Sequence, residues 1–181
     1  MTTVRLAEAP AAILSYATRV GRPVILLDGG SGAGKTSLAA LVATAWRAAR
    51  GQELLLVSLD DVYPGWHGLA AGSAAVPGIL APSGAGFHRW DWKTSQRDDW
   101  VPIDPGAPIL VEGCGALTLE SSPLATCRVW VELDESARKA RALARDKGGY
   151  DPYWDIWAAQ ERLHWRENRP WTHADLTVQV S

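Results

Sequence analysis

The sequence predicts a three-layer α/β/α fold, a five-stranded parallel sheet with helices on both faces. Three observations predict it. Five short apolar runs have the length and composition of strands: Val24–Leu27, Leu54–Leu59, Ile109–Glu112, Arg128–Leu133 and Leu176–Val180. Helical periodicity fills most of the intervals between them, the alternation that builds parallel sheets. Asp28, Asp60, Glu112 and Asp134 stand at the carboxyl ends of such runs, where ligands collect in sheets of this kind.

Residues 4–19 read as a first helix, with Ala, Leu and Ile on one side. Val24–Leu27 reads as a buried strand, and after Asp28 comes Gly29-Gly30-Ser31-Gly32-Ala33-Gly34-Lys35-Thr36. In that pattern small residues let backbone N–H groups turn inward around phosphate oxygens, and the next helix adds the positive end of its dipole. Lys35 would reach the β- and γ-phosphates, and the Thr36 hydroxyl would help hold Mg²⁺. Gly30, Ser31, Gly32, Ala33, Gly34, Lys35, Thr36 and Ser37 are therefore the expected cradle of a nucleoside triphosphate, ATP or GTP. The helix that follows, Ser37–Arg50, should stop at Gly51.

The second run leads into the adjacent carboxylates Asp60 and Asp61, and the pattern then breaks between Tyr63 and Pro108. That stretch is rich in Gly, Pro, Ser and Trp, with a helix allowed around Gly68–Leu80 despite Pro77. An irregular segment this long reads as a substrate loop inserted at about 63–108. Its candidate acceptor residues are Tyr63, Trp66, Arg89, Trp90, Asp91 and Trp92, with His88 a candidate for substrate phosphate or a loop cap. Aromatic faces can stack a flat ring, and Asp91 could accept hydrogen bonds from hydroxyls.

After the third run, Glu112 closes an apolar strand, where a charge must be solvated, paired or metal-linked. It reads as a carboxylate serving Mg²⁺ or the acceptor site. Beyond the fourth run, "DESARKARALARDK" sets Arg138, Arg141 and Arg145 on one helical face. "YDPYWDIWAAQERLHWRENRP" predicts another helix, with Asp151 as N-cap, Pro152 in the first turn and Pro170 at its end. Arg162, Arg166 and Arg169 repeat the basic spacing. Two basic faces around a "DKGGYD" turn suggest a helical lid, about 136–169, over the triphosphate.

At 181 residues the chain is expected to form a single domain, 1–181, and its 47% hydrophobic and 21% charged content is ordinary for a globular protein. A net charge of −2 argues against nucleic-acid and membrane-surface partners. No leader pattern opens the sequence and no apolar run nears membrane-spanning length, so a cytoplasmic protein, monomeric or homodimeric, is expected. Cys114 and Cys127 show no metal-ligand pattern and are expected to be reduced.

Several of these motifs resemble the uridine kinase-like branch of the P-loop nucleoside and nucleotide kinases. "DGGSGAGKTS" is similar to the phosphate loop of that branch, and "SLDDVY" to its Asp-x-x-Tyr element at Asp60 and Tyr63. "RWDW" is similar to the family's substrate element at Asp91, and "ILVEG" to its Val-Glu-Gly at Glu112 and Gly113. "RALARD" resembles the lid sequence at Arg141, Arg145 and Asp146, and "HADLTV" the closing strand. Their order along the chain is also the family's order.

The resemblance implies a P-loop kinase-type fold and an ATP- and Mg²⁺-dependent phosphotransferase acting on a hydroxyl of a small nucleoside-like metabolite. It implies Lys35, Asp60, Glu112, Arg141 and Arg145 as the catalytic set, with Asp60 as the base and Asp61 its neighbouring alternative. Thr36, Asp60 and Glu112 would serve the metal. A nucleotide monophosphate or sugar-like acid as acceptor, or a regulatory ATPase without an acceptor, are the competing expectations.

Overall fold

The computed structural model describes residues 2–18, 21–146 and 149–180. In chain order these form β1 (Thr2–Arg5), α1 (Ala9–Ala17), β2 (Val24–Gly29), α2 (Lys35–Arg50), β3 (Leu55–Ser58), α3 (Leu69–Ile79) and the strands β4 (Gly86–Asp91) and β5 (Gln96–Pro102). They continue as β6 (Ile109–Glu112), β7 (Cys127–Glu132), α4 (Glu135–Asp146), α5 (Trp154–Asn168) and β8 (Leu176–Gln179). The main sheet runs β1-β8-β7-β2-β6-β3, and every recorded pairing in it is parallel.

Strand β2 shows why the sheet carries helices on both faces. Val24 and Leu26 point into one apolar cluster, which α3, α4 and α5 help to close. Ile25 and Leu27 point into a second cluster, formed with α1 and α2. Successive side chains on a strand face opposite ways, so a strand buried on both sides must be apolar throughout. Helix α2 meets its layer through Leu38, Val42 and Trp46, a stripe with four-residue spacing that is almost wholly buried. Each such large apolar side chain contributes on the order of 1.5–3 kcal/mol by leaving water.

Three expectations are corrected. The sheet has six strands rather than five, because Thr2–Arg5 forms an edge strand paired to β8, with Val4 opposite Val178. Its residues are mostly exposed, so no burial pattern announced it. The first helix consequently begins at Ala9, with Pro10 in its first turn, instead of at residue 4. Finally, the 63–108 insertion is ordered as α3 plus an antiparallel β4–β5 hairpin, with a register irregularity between His88 and Trp90. Exposed residues dominate β5, which hid its strand character.

The expected lid divides into two parts. Helix α5 packs Trp154, Trp157, Ala158, Glu161 and His164 into the interior, which makes it part of the core. Arg162 and Arg166 are exposed on the helix, and Arg169 is exposed at its C-terminal cap. The Lys147 and Gly148 portion of the "DKGGYD" turn lies outside the described residues. No helix among the described residues is long and apolar enough to cross a membrane.

Candidate active site

The carboxyl ends of β2, β3 and β6 converge on a cavity of about 900 Å³. Ser31, Gly32, Gly34, Lys35, Thr36 and Ser37 line one side of it, and Asp60, Asp61, Tyr63, Trp66 and Trp92 another. Glu112, Cys114, Arg141, Arg145, Tyr150 and Trp157 complete most of the wall.

The phosphate loop joins β2 to α2. Gly34 caps α2 with φ +96°, a backbone setting that favours glycine. Gly32, at φ +80°, lies so close to α4 that a Cβ there would collide with the Arg138 carbonyl oxygen. Three loop N–H groups are already committed: Gly29 donates to Asp28 Oδ1 (2.6 Å), Ala33 to the Gly30 carbonyl (3.1 Å) and Ser31 to Glu161 Oε1 (2.6 Å). The first intrahelical bond of α2 runs from Leu38 N to Gly34 O, so the N–H groups of Lys35, Thr36 and Ser37 have no partner within the helix. Such a set of donors suits phosphate oxygens.

Lys35 is buried, and its Nζ donates to Gly30 O (3.1 Å) and Cys114 Sγ (3.4 Å). Burial opposes its charge, but Cys114, Glu112, Glu161 and Asp60 together outweigh it and push its pKa above the ordinary lysine value. Glu112, also buried, accepts on Oε1 from Thr36 Oγ1 and from Ser58 Oγ, each at 2.9 Å. Burial raises its pKa, with Lys35 and the two hydroxyls pulling the other way. Asp28 is wholly buried and accepts from the N–H groups of Gly29 (2.6 Å), Gly115 (3.0 Å) and Leu117 (2.9 Å). It ties the segment after β6 to the root of the phosphate loop.

Asp60 and Asp61 sit in a short 3-10 turn directly after β3. The Trp92 indole donates to the Asp60 carbonyl at 2.7 Å, so the hairpin and the acidic turn brace one another. Tyr63 donates from its hydroxyl to Cys114 O (2.8 Å) and meets Trp157 edge-on at 4.8 Å. Trp66 stacks on Tyr153 at 4.2 Å and on Tyr150 at 5.2 Å, and lies 5.0 Å from Trp92. Tyr150 also reaches the Ser31 hydroxyl at 3.0 Å. Aromatic residues of the insertion and the α4–α5 connection thus form one continuous wall, joined to the phosphate loop through the Tyr150–Ser31 bond.

Not every candidate reaches it. Asp91 Oδ1 accepts from the N–H groups of Lys93 (2.8 Å) and Thr94 (3.4 Å), and Oδ2 accepts from the Thr94 hydroxyl (2.8 Å). These bonds, that from the Thr94 hydroxyl first, hold its pKa below the ordinary aspartate value. It caps the hairpin turn and does not border the cavity. Arg89 is exposed and Trp90 half-buried, and neither borders the cavity. His88 is exposed, 3.1 Å from Asp98 O through Nδ1 and edge-on to Trp100. Trp92, in the turn just after β4, lies beside Asp60, whereas Trp90 and Asp91 at the end of β4 do not border the cavity.

Four site residues carried no motif: Cys114, Tyr150, Trp157 and Glu161. Glu161 did leave a trace, because it falls among Trp154, Trp157, Ala158 and His164 on the face of α5 that must be buried. A carboxylate at a core position needs partners.

No protein-family model matches the chain, and no curated protein matches it in sequence. Solved structures do. The chain is similar to a possible uridine kinase from Bacillus stearothermophilus, with 20% identity and a TM-score of 0.66 over 96% of this chain and 97% of that one. It is also similar to a Silicibacter sp. TM1040 protein provisionally named a fructose transport system kinase, with 16% identity and a TM-score of 0.59 over 96% and 98% of the two chains. Over 96% of its length the chain therefore shares the α/β fold of these two structures, so the fold that the motifs led us to expect is present.

Proposed function

We propose that this protein transfers the γ-phosphoryl group of ATP to a hydroxyl of a small, nucleoside-like metabolite. One observation supports this above the others. The phosphate loop, the Asp60–Asp61 turn and an aromatic wall face a single cavity of about 900 Å³, large enough for a donor and an acceptor together. The kinase names of the two similar structures agree with this reading.

In this reading the backbone donors at the head of α2 and the Lys35 ammonium hold the triphosphate. Thr36 and Glu112 offer neighbouring hydroxyl and carboxylate oxygens, which suit a hard cation such as Mg²⁺. No cluster of three or more His, Cys, Asp or Glu among the described residues could hold a metal alone, so phosphate oxygens and water would complete its shell. Bound there, Mg²⁺ would neutralise phosphate charge. Asp60 takes the acceptor's hydroxyl proton as the oxygen attacks, with Asp61 the adjacent alternative. Arg141 and Arg145, at the cavity edge, clamp the transferring group and exclude water.

The acceptor lies against Tyr63, Trp66 and Trp92. Arg89 and Arg97 stand exposed on the hairpin, outside the cavity lining. Among the described residues, the cations that line the cavity are Lys35, Arg141 and Arg145, which the triphosphate uses in this reading. That distribution favours a neutral acceptor over a monophosphate. The test is ADP release from Mg-ATP across a panel of nucleosides, sugars, sugar acids and nucleoside monophosphates, with products identified by ³¹P NMR. A nucleoside or similar neutral compound should stimulate release. Stimulation by monophosphates or sugar acids alone would move the acceptor class, and hydrolysis that no compound stimulates would favour a regulatory ATPase.

A further inference from the structure

Behind the phosphate loop lies a buried ion pair that phosphoryl transfer as described does not use. Glu161, on α5, is 1% exposed, and Arg138, on α4, is 5% exposed. Their side chains meet at 3.1 Å. Glu161 Oε1 accepts from the Ser31 N–H (2.6 Å) and from the Cys114 thiol (3.2 Å). Arg138 Nη1 donates in turn to the Ser31 carbonyl (3.1 Å), and its guanidinium lies over the Trp165 ring. Both polar groups of the Ser31 main chain are therefore gripped by one pair from outside the loop.

We infer that Glu161 is a positioning residue of the phosphate loop, holding Ser31 directly and through Arg138 so that the loop is set for phosphate before nucleotide arrives. The inference rests on the nucleotide-binding reading of that loop. Glycine-rich backbone has the most conformational freedom to lose, so an unsupported loop of this composition would bind weakly. A buried ion pair is a poor source of stability compared with apolar residues of similar volume, so packing alone gives no reason for one here. Its grip on both sides of one loop residue does. The same carboxylate reaches the lysine as well. The Cys114 thiol donates to Glu161, while its sulfur lies 3.4 Å from Lys35 Nζ.

The test removes both charges at once. In Arg138→Met/Glu161→Leu the pair is replaced by apolar side chains, so neither charge is left buried alone. Binding of a non-hydrolysable Mg-ATP analogue and of inorganic tripolyphosphate is then titrated beside thermal unfolding. The expected result is an unchanged melting temperature with roughly tenfold or greater loss of affinity for both phosphates, the scale of charge-assisted bonds. Adenosine binding should be unchanged, which a general structural defect would not leave intact. Phosphate affinities within twofold of wild type in the folded variant would overturn the inference. If the variant does not fold, residue-resolved amide exchange of the wild type decides. Without nucleotide, Ser31 N–H should exchange at least tenfold more slowly than Gly32 N–H, and equal rates would overturn the hold. Lys35→Ala separates the two readings: if it also leaves tripolyphosphate binding intact, the nucleotide-binding reading fails instead.

Discussion

Replacing Trp92 with alanine should weaken the acceptor and spare the nucleotide. The indole has two contacts to lose: the hydrogen bond from Nε1 to the Asp60 carbonyl at 2.7 Å and the ring contact with Trp66 at 5.0 Å. A net hydrogen bond contributes about 0.5–1.5 kcal/mol, and an aromatic pair a similar amount beyond burial. Because the residue is 37% exposed, the lower part of the combined range applies. About 1–2 kcal/mol remains, or roughly 5- to 30-fold in acceptor kcat/KM. Trp92→Phe keeps a ring and loses only the N–H donor, so its loss should be about fivefold. The assay is steady-state kinetics with whichever acceptor the substrate panel identifies, beside titration with a non-hydrolysable ATP analogue. Trp90→Ala is the control, since that ring does not border the cavity. Equal losses for acceptor and nucleotide in Trp92→Ala, or a larger acceptor loss in Trp90→Ala, would refute the placement of the acceptor.

Lys35→Ala should lower turnover by roughly 10²- to 10³-fold, the scale of one electrostatic contact to the developing charge, about 2.7–4 kcal/mol. Single-turnover phosphoryl transfer measures it, and activity within threefold of wild type would refute a catalytic role for the loop. Asp60→Asn should cut kcat by about 10²-fold or more with nucleotide affinity unchanged, as expected for a lost general base. The larger loss in Asp61→Asn would transfer that role to its neighbour. Asp91→Ala should leave kcat/KM within twofold while amide exchange in the β4–β5 hairpin quickens. The folded pKa of Asp91 is depressed by its turn bonds, so its contribution is present above the ordinary aspartate pKa and fades as pH falls through the lower folded value. Hairpin protection that is flat from pH 5 to well below about pH 4 would contradict this.

The parts of the fold legible in the sequence were those with a local cause. Val24–Leu27 reads as a strand because the run is apolar throughout, and Ser37–Arg50 as a helix ended by Gly51; the structure extends them to Val24–Gly29 and Lys35–Arg50. The loop between them is a contiguous motif, so its residues and their geometry came together. The edge strand Thr2–Arg5 and the hairpin strand Gln96–Pro102 were harder to read, because exposed strands need not alternate apolar and polar residues.

What the sequence by itself determined is the set of residues gathered at the strand ends: the glycine-rich loop, Lys35, Thr36 and the carboxylates. Backbone conformation over a few residues dictates these positions, and composition reports it directly. Which aromatic residue of "RWDW" faces the cavity was decided by tertiary structure: Trp90 and Trp92 are two residues apart, so strand alternation cannot choose between them, and Trp92, in the turn after β4, is the one that meets Asp60. The Asp91 carboxylate was likewise claimed by its own turn. Glu161 meets Ser31 across 130 residues of chain, and Arg138 meets it across 107. No spacing rule spans such distances. Only the packing of α4 and α5 against the sheet brings those charges behind the loop, where burial obliges each to find the other.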